Sequence, residues 1–349
     1  MNLSNDSLAT NASGPVPSSA TSPAEPAVII TIAVLSIVGN LLVIVVTIRR
    51  QTFPSASRLF IASMACSDLI LGSTFPAMVA PAEAGEWVYS DKAARVCAAI
   101  GLSSTVLSFY ALGGLNLDRL YALMNDGVGI SCKKARIFLI SAWAGIYAWF
   151  IFSTVYGVPL DYDPAIALTI YDVKTHLWFT IVSLGMLFSP IVLTLYCVVR
   201  ILKALCTQHE PQAAAVVHIT VNGPGVTPQN ANPQQQPAPQ NINTDNSNRS
   251  YAKIVLILTL VQTIMPLPVS CAFIASQLGY DLPTFLFWSS WLAMSNTFLD
   301  VVVYSVCQTS FRKAVKEIAT FVASFLYKKC CCQNRVEVAD QQNIQMSSL

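Results

Sequence analysis

Long apolar runs separated by short polar stretches set the pattern of this chain. Seven of them lie near residues 27–48, 59–81, 95–123, 136–158, 177–204, 252–277 and 283–307, and each has the ~20 residues that a helix needs to cross a hydrocarbon core. The pattern predicts an all-α membrane protein, a seven-transmembrane helix bundle over residues 27–308. Beyond it Phe311, Val315, Ile318, Val322 and Phe325 recur at helical spacing, so a cytoplasmic amphipathic eighth helix over 309–327 should lie on the membrane surface. Connections are short except for 205–250, which from Pro211 onward is rich in Pro, Gln and Asn. Such a composition buries too little apolar surface to offset the entropy of ordering, and a disordered third cytoplasmic loop is expected. Residues 1–26 and 328–349 read as polar tails.

Composition and charge fix the orientation. The 349 residues are 54% hydrophobic and 11% charged, with net charge +2, against ~25% charged in soluble domains. No basic stripe with interleaved aromatics appears, and nucleic-acid binding is set aside. Asn2, Asn5 and Asn11 each begin an Asn-x-Ser acceptor for N-glycosylation, which favours a disordered, glycosylated extracellular N-terminus. Nothing before Ala27 has the basic region and short apolar core of a cleaved signal peptide, so the first span acts as its own insertion signal. With seven spans the C-terminus is then cytoplasmic. In this topology all but Lys92, Arg95 and Lys174 of the 20 basic residues face the cytoplasm, as the positive-inside rule requires. A multi-pass protein of the plasma membrane is the expectation.

Ionisable residues inside spans cost at least ~2.5–3.5 kcal/mol to insert, which makes them functional candidates. Asp68 lies inside the second span and Asp300 inside the seventh, where Asn296, Asp300 and Tyr304 share one helix face at i, i+4, i+8. Ser108 precedes Arg119 by 11 residues, roughly 16 Å of helix, which puts its hydroxyl near mid-bilayer beside those carboxyls. Asp68, Ser108, Asn296 and Asp300, with Asn40 as a neighbour, form an oxygen-rich cluster. A hard cation would suit Asp68, Ser108 and Asp300 as ligands; a water-filled network, or a proton shared between the carboxyls, suits the same residues. Asp118-Arg119 falls at the cytoplasmic end of the third span, where a salt bridge with Arg119 snorkelling to the interface is the plain reading.

Taken together, these residues resemble a divergent, orphan-like member of the rhodopsin-like (class A) G-protein-coupled receptors. Gly39-Asn40-Leu41-Leu42-Val43 resembles the family's first-helix Gly-Asn-x-x-Val, and Met64-Ala65-Cys66-Ser67-Asp68 its Leu-Ala-x-x-Asp. Asp118-Arg119-Leu120 matches Asp-Arg-Tyr except in its last member, Trp143 and Pro190 stand for the single Trp of helix four and Pro of helix five, and Asp300-Val301-Val302-Val303-Tyr304 is similar to Asn-Pro-x-x-Tyr. Phe311-Arg312 falls where an eighth helix begins. The resemblance implies a receptor without enzymatic activity that passes an extracellular signal to a heterotrimeric G protein by a shift of population. It further implies that Asp118, Arg119 and Tyr304 serve G-protein coupling and activation. The polar cluster would then be an allosteric sodium site, and no other cofactor is implied.

The departures are as informative. The residue that would carry the disulfide of the third helix is Ala94, and the second outer loop, roughly 159–176, has no Cys; no such bond is predicted and Cys97 should be a free thiol. Aligned on Pro266, Ile264 replaces the family's switch Trp and Leu260 the Phe beneath it, with Pro268 a rival anchor; Val198 and Val301 replace the inward Tyr of helix five and the Pro of helix seven. Gly101 stands where amine receptors carry Asp and Met294 where opsins carry the retinal-binding Lys. A pocket lined by Gly101, Leu102, Thr105, Val182, Met186, Leu267, Cys271, Leu286, Ser290 and Met294 would be apolar and suit a neutral or lipophilic small molecule.

Cys330-Cys331-Cys332 follow Lys328-Lys329 and the amphipathic segment, a setting for S-palmitoylation and membrane-lipid contact; metal binding by adjacent thiols lacks His or spaced Cys partners. Ser347 and Ser348 are the only hydroxyls in the last 20 residues, so arrestin recruitment through the tail should be weak. Two alternatives stay open: a receptor-like binder that does not couple, and an ion- or proton-coupled transporter, for which inverted repeats are not visible.

Overall fold

The structure is a computed structural model that describes residues 23–49, 52–171, 176–207, 242–280, 282–321 and 323–324. Among the described residues, ten α-helices build the bundle. α1 (Ala24–Arg49) is the first span. The second is α2 (Ser55–Thr74), a 3-10 turn (Phe75–Met78) and α3 (Val79–Ala84) in continuous succession. Pro76 sits at the start of that turn and has no N–H to continue the α-helical ladder, so the span tightens there. α4 (Asp91–Met124) and α5 (Cys132–Tyr156) form the third and fourth spans, each opened by a serine whose hydroxyl accepts from a first-turn N–H, Ser90 from Ala93 and Ser131 from Lys134. α6 (Leu177–Thr207) is the fifth and carries Pro190 inside it.

The last two spans are each made of two helices. α7 (Ile242–Ile264) and α8 (Leu267–Gln277) meet at Met265-Pro266. α9 (Pro283–Met294) and α10 (Asn296–Cys307) meet at Ser295, whose hydroxyl donates back to the Leu292 carbonyl at 2.5 Å, a bond that competes with the helical ladder. Six helical stretches are long and apolar enough to cross a membrane by themselves; α9 and α10 do so together, the run 283–307 reaching about 37 Å at 1.5 Å per residue.

The structure moves two boundaries. Helix continues to Thr207 and resumes at Ile242, so both ends of the segment expected to be a disordered loop over 205–250 are helical. The stretch from Ile242 to Arg249 is polar and shows no apolar period, yet it extends a helix already nucleated by the span behind it. Residues 309–321 run helical after the bundle, with Phe311 and Ala314 buried and Val315 and Ile318 packed on the core. The acceptor sites Asn2, Asn5 and Asn11, the cysteines Cys330, Cys331 and Cys332, and the tail lie outside the described residues.

The core follows α4, which packs on α2, α5, α6 and α7. Glycine permits the closest approach: a Cβ at Gly114 would collide with the Phe60 ring. Between the fourth and fifth spans, β1 (Leu160–Asp163) and β2 (Leu168–Tyr171) pair antiparallel with Asp163 opposite Leu168. Ala165 N–H donates to the Asp163 carboxylate at 2.9 Å and closes the turn.

Candidate functional site

Three groups of residues lie stacked through the bundle. At its centre Asp68 and Asp300 are buried, 3% and 2% exposed. The Ser108 hydroxyl lies beside Asp68. Asp300 is held by Gln262 on α7, whose amide N–H groups reach its two oxygens at 2.9 and 2.8 Å. Asn296 Nδ2 donates to the Gln262 carbonyl at 3.4 Å. Asp68 Oδ2 and Asn296 Oδ1 are buried without a protein partner. Asn40 stands to one side of this cluster, donating to the carbonyls of Ser36 and Thr297 at 2.9 and 2.5 Å while the hydroxyls of Ser36 and Thr297 bond each other. It pins the first span to the seventh.

Those orphaned oxygens bear on the expected cation. Asp68, Ser108 and Asn296 offer hard oxygen donors and fit such an ion. Asp300 accepts from the Gln262 amide on both oxygens, and each carboxylate oxygen keeps a further lone pair for an ion. Gln262 adds a neutral donor beside Asp300 to the residues expected there.

Gln262 also corrects the register of the sixth span. Leu260 and Ile264, read as inward on the Pro266 anchor, are 58% and 47% exposed, and Leu267 on the same face is 53% exposed. The buried face carries Tyr251, Val255, Leu258, Gln262 and Ala272. Pro268 is the better anchor, and it puts Gln262 where the family's Phe stands. Gln262 was the overlooked signal in the sequence: a carboxamide in mid-span is expensive to bury without partners.

At one end of the bundle, Asp118 and Arg119 are 0% and 2% exposed and joined by a 2.5 Å salt bridge. Arg119 does not snorkel. Its guanidinium lies 4.9 Å from the centroid of the Tyr251 ring. Asp118 further accepts from the Ser57 hydroxyl at 2.5 Å and from the Ile130 N–H at 2.8 Å, and Gly129 leaves the room in which its carboxylate meets that loop. Tyr304 is buried, 1% exposed, with its hydroxyl unpartnered. Asn116, Ser57 and Thr259 escaped sequence reasoning because a lone hydroxyl or amide in a span carries no spacing signal; Asn116 Nδ2 meets the Thr259 hydroxyl at 2.8 Å.

Toward the opposite end lies a cavity of about 340 Å³. Of the expected pocket residues, Gly101, Leu102, Thr105 and Met294 line it, together with Phe75, Cys97, Phe150, Phe179, Ser183 and the whole of β2. No charged side chain does. Val182, Met186, Leu267, Cys271, Leu286 and Ser290 do not line it: Val182, Leu267 and Cys271 are exposed, Met186 packs beside Phe179, and Leu286 and Ser290 are buried. The cavity therefore lies among the second to fifth spans, touched by the seventh through Met294 and by no residue of the sixth. The hairpin explains the shift. Its tip residue Ile166 packs between Ala272 and Leu286, and its carbonyl accepts from Trp291 Nε1 at 3.1 Å, so chain fills the space where the pocket was expected. Ala167 adopts φ +53° there, a left-handed conformation that a non-glycine residue holds only under tertiary constraint.

Cys97 is a free thiol, and other contacts fasten the loop. Arg95 Nη1 donates to the Val158 carbonyl at 2.9 Å, and the Tyr171 and Thr154 hydroxyls bond at 2.9 Å. Burial, with Asp163 and Glu25 adding negative charge, pushes the Tyr162 hydroxyl up to about 12.

Comparison with known proteins agrees with this arrangement. Residues 39–304 match the 7 transmembrane receptor (rhodopsin family). Melanopsin-A of Danio rerio is 22% identical over 83% of this chain and 48% of its own length. The rhodopsin of Cambarus hubrichti is 26% identical over 51% and 61%, and G-protein coupled receptor 52 of Mus musculus 24% over 90% and 85%. The chain thus spans about half the length of the melanopsin and about three fifths of the rhodopsin. The crystal structure of squid rhodopsin superimposes with a TM-score of 0.69 at 17% identity, covering 86% of this chain and 85% of that one, which supports the fold. With three quarters of its length matched and seven spans in place, the chain belongs to the rhodopsin family of seven-transmembrane receptors, multi-pass membrane proteins that are not enzymes.

Proposed function

We propose that this protein is a plasma-membrane receptor, N-terminus outside, that binds a neutral or lipophilic small molecule in the outer cavity and passes the signal to heterotrimeric G proteins through Arg119. The uncharged lining of that cavity carries the ligand reading. A ligand with a full charge would lose its hydration there without a counter-charge, whereas apolar surface gains roughly 25 cal/mol per Å² on burial. The sealed Asp118–Arg119 pair is the coupling element in its closed state. An allosteric sodium ion would be held by Asp68, Ser108 and Asp300, with Asn296 beside them, where it would supply a positive charge for the carboxylates; water or a shared proton satisfies the same oxygens. N-glycans at Asn2, Asn5 and Asn11, acyl chains on Cys330, Cys331 and Cys332, and limited arrestin recruitment complete the proposal.

Gly101 supplies the test. A Cβ at Gly101 meets only Leu71 Cδ1, at 3.8 Å, so Gly101→Leu folds while its side chain enters the cavity. Cells expressing the receptor are screened with neutral sterols, fatty alcohols and acylglycerols. An agonist whose response disappears in Gly101→Leu at equal surface expression supports the reading; responses confined to charged amines or peptides, unaffected by Gly101→Leu, contradict it. A receptor-like binder that does not couple is the second reading, favoured by the Gln262 clamp on Asp300.

A further inference from the structure

Arg119 needs a counterpart from the sixth span when the cytoplasmic face is shut, and α7 brings it a ring rather than an acid. Tyr251 is 8% exposed with its face 4.9 Å from the guanidinium. Behind it stands Phe53 from the first cytoplasmic connection, 4% exposed. Its ring centroid lies 6.2 Å from Tyr251, 5.5 Å edge-on from Tyr304 and 6.4 Å from Phe311, and Tyr304 and Phe311 are 5.9 Å apart. Gln308 Nε2 fixes the neighbouring backbone by donating to the Thr52 carbonyl at 3.2 Å. One continuous aromatic path therefore runs from Arg119 through Tyr251 and Phe53 to Tyr304 and the helix at 309–321, joining the third, sixth and seventh spans at the surface a G protein must enter. Phe53 alone touches all three other rings.

We propose that Phe53 and Tyr251 are positioning residues for coupling: they form an aromatic latch that covers Arg119 and holds the sixth span inward until activation separates the rings. This rests on the G-protein reading of the face, but the latch itself is a conformational property. A guanidinium over a ring face, out of water, is held by the ring's quadrupole, and aromatic edge-to-face contacts hold the rest. Such contacts carry no net charge on the ring side, so bulk salt, which weakens exposed ion pairs, leaves this latch shut.

The test uses the full chain in lipid nanodiscs, spin-labelled at Lys133→Cys and Lys253→Cys, both exposed cytoplasmic positions, in a background with the other reactive cysteines replaced. Double electron–electron resonance reads the distance between the fourth and sixth spans. The parent should give one short-distance population that persists from low salt to about 1 M KCl. Tyr251→Leu and Phe53→Leu should each add a longer-distance population and raise ligand-free nucleotide exchange on the G protein about tenfold, the change that ~1.4 kcal/mol produces. Tyr251→Phe, which keeps the ring, should retain the parent distance. Unchanged distances in both leucine variants, or a parent that opens with salt, overturn the latch. The salt titration decides even where a leucine variant does not fold. Opening without any rise in exchange supports the latch and contradicts the coupling reading.

Discussion

Asp118 shows how much one carboxylate can organise. It accepts from Arg119, Ser57 and the Ile130 N–H, so the connection between α4 and α5 is tied to Arg119 through a gap that only Gly129 leaves. Gly129→Ala should displace that carboxylate, strip a charge-assisted bond and lower unfolding stability by about 1–3 kcal/mol; an unchanged melting temperature in nanodiscs would show that the loop yields without loss. Gln262→Leu should cost a similar ~1–3 kcal/mol because it leaves the buried Asp300 oxygens bare. Adding Asp300→Asn should restore part of it, a coupling that a double-mutant thermal series reads directly. The acids and Arg119 were legible in the sequence because charge in a span is conspicuous. Gln262 was not, since its importance depends on which face of the sixth span turns inward, and two prolines, Pro266 and Pro268, offered rival registers.

At the level of elements, seven spans followed from apolar run length, whereas the breaks at Pro76, Met265-Pro266 and Ser295 depend on single backbone groups. The β-hairpin escaped prediction altogether. Residues 160–171 form no long alternating run, and their placement is decided by tertiary contacts of Ile166 and Arg95. That hairpin in turn relocated the cavity and left six of the ten expected pocket residues outside it. Trp291→Phe should release the tip by removing the donor to the Ile166 carbonyl, seen as faster hydrogen exchange of the hairpin amides; exchange equal to the parent would mean the bond is dispensable. Tyr162 gives a pH readout. Its hydroxyl is raised to about 12 in the folded hairpin against an ordinary ~10. The unfolded loop therefore ionises first, and hairpin stability is full below pH ~10 and declines as the pH rises toward 12. Ultraviolet titration of phenolate, compared with Tyr162→Phe, measures it; a Tyr162 signal near pH 10 would contradict the buried placement.

Across the whole molecule the three sites lie in line: an uncharged cavity under the hairpin, a polar centre around Asp68 and Asp300, and a sealed arginine at the other end of the bundle. The seven spans could be read from apolar periodicity, and the residues proposed for coupling came from the family resemblance; the location of the cavity could not be read, because it depends on a loop filling space that sequence leaves open. The central claim is that this arrangement transmits to G proteins through Arg119. Ligand-free nucleotide exchange on a panel of heterotrimeric G proteins, measured for the full chain in nanodiscs beside Phe53→Leu and Phe53→Leu/Arg119→Ala, tests it most directly. The account predicts exchange above background that rises when the latch is removed and vanishes without Arg119; background exchange in all three, from folded protein whose sixth span has opened, would contradict coupling and leave a receptor-like binder.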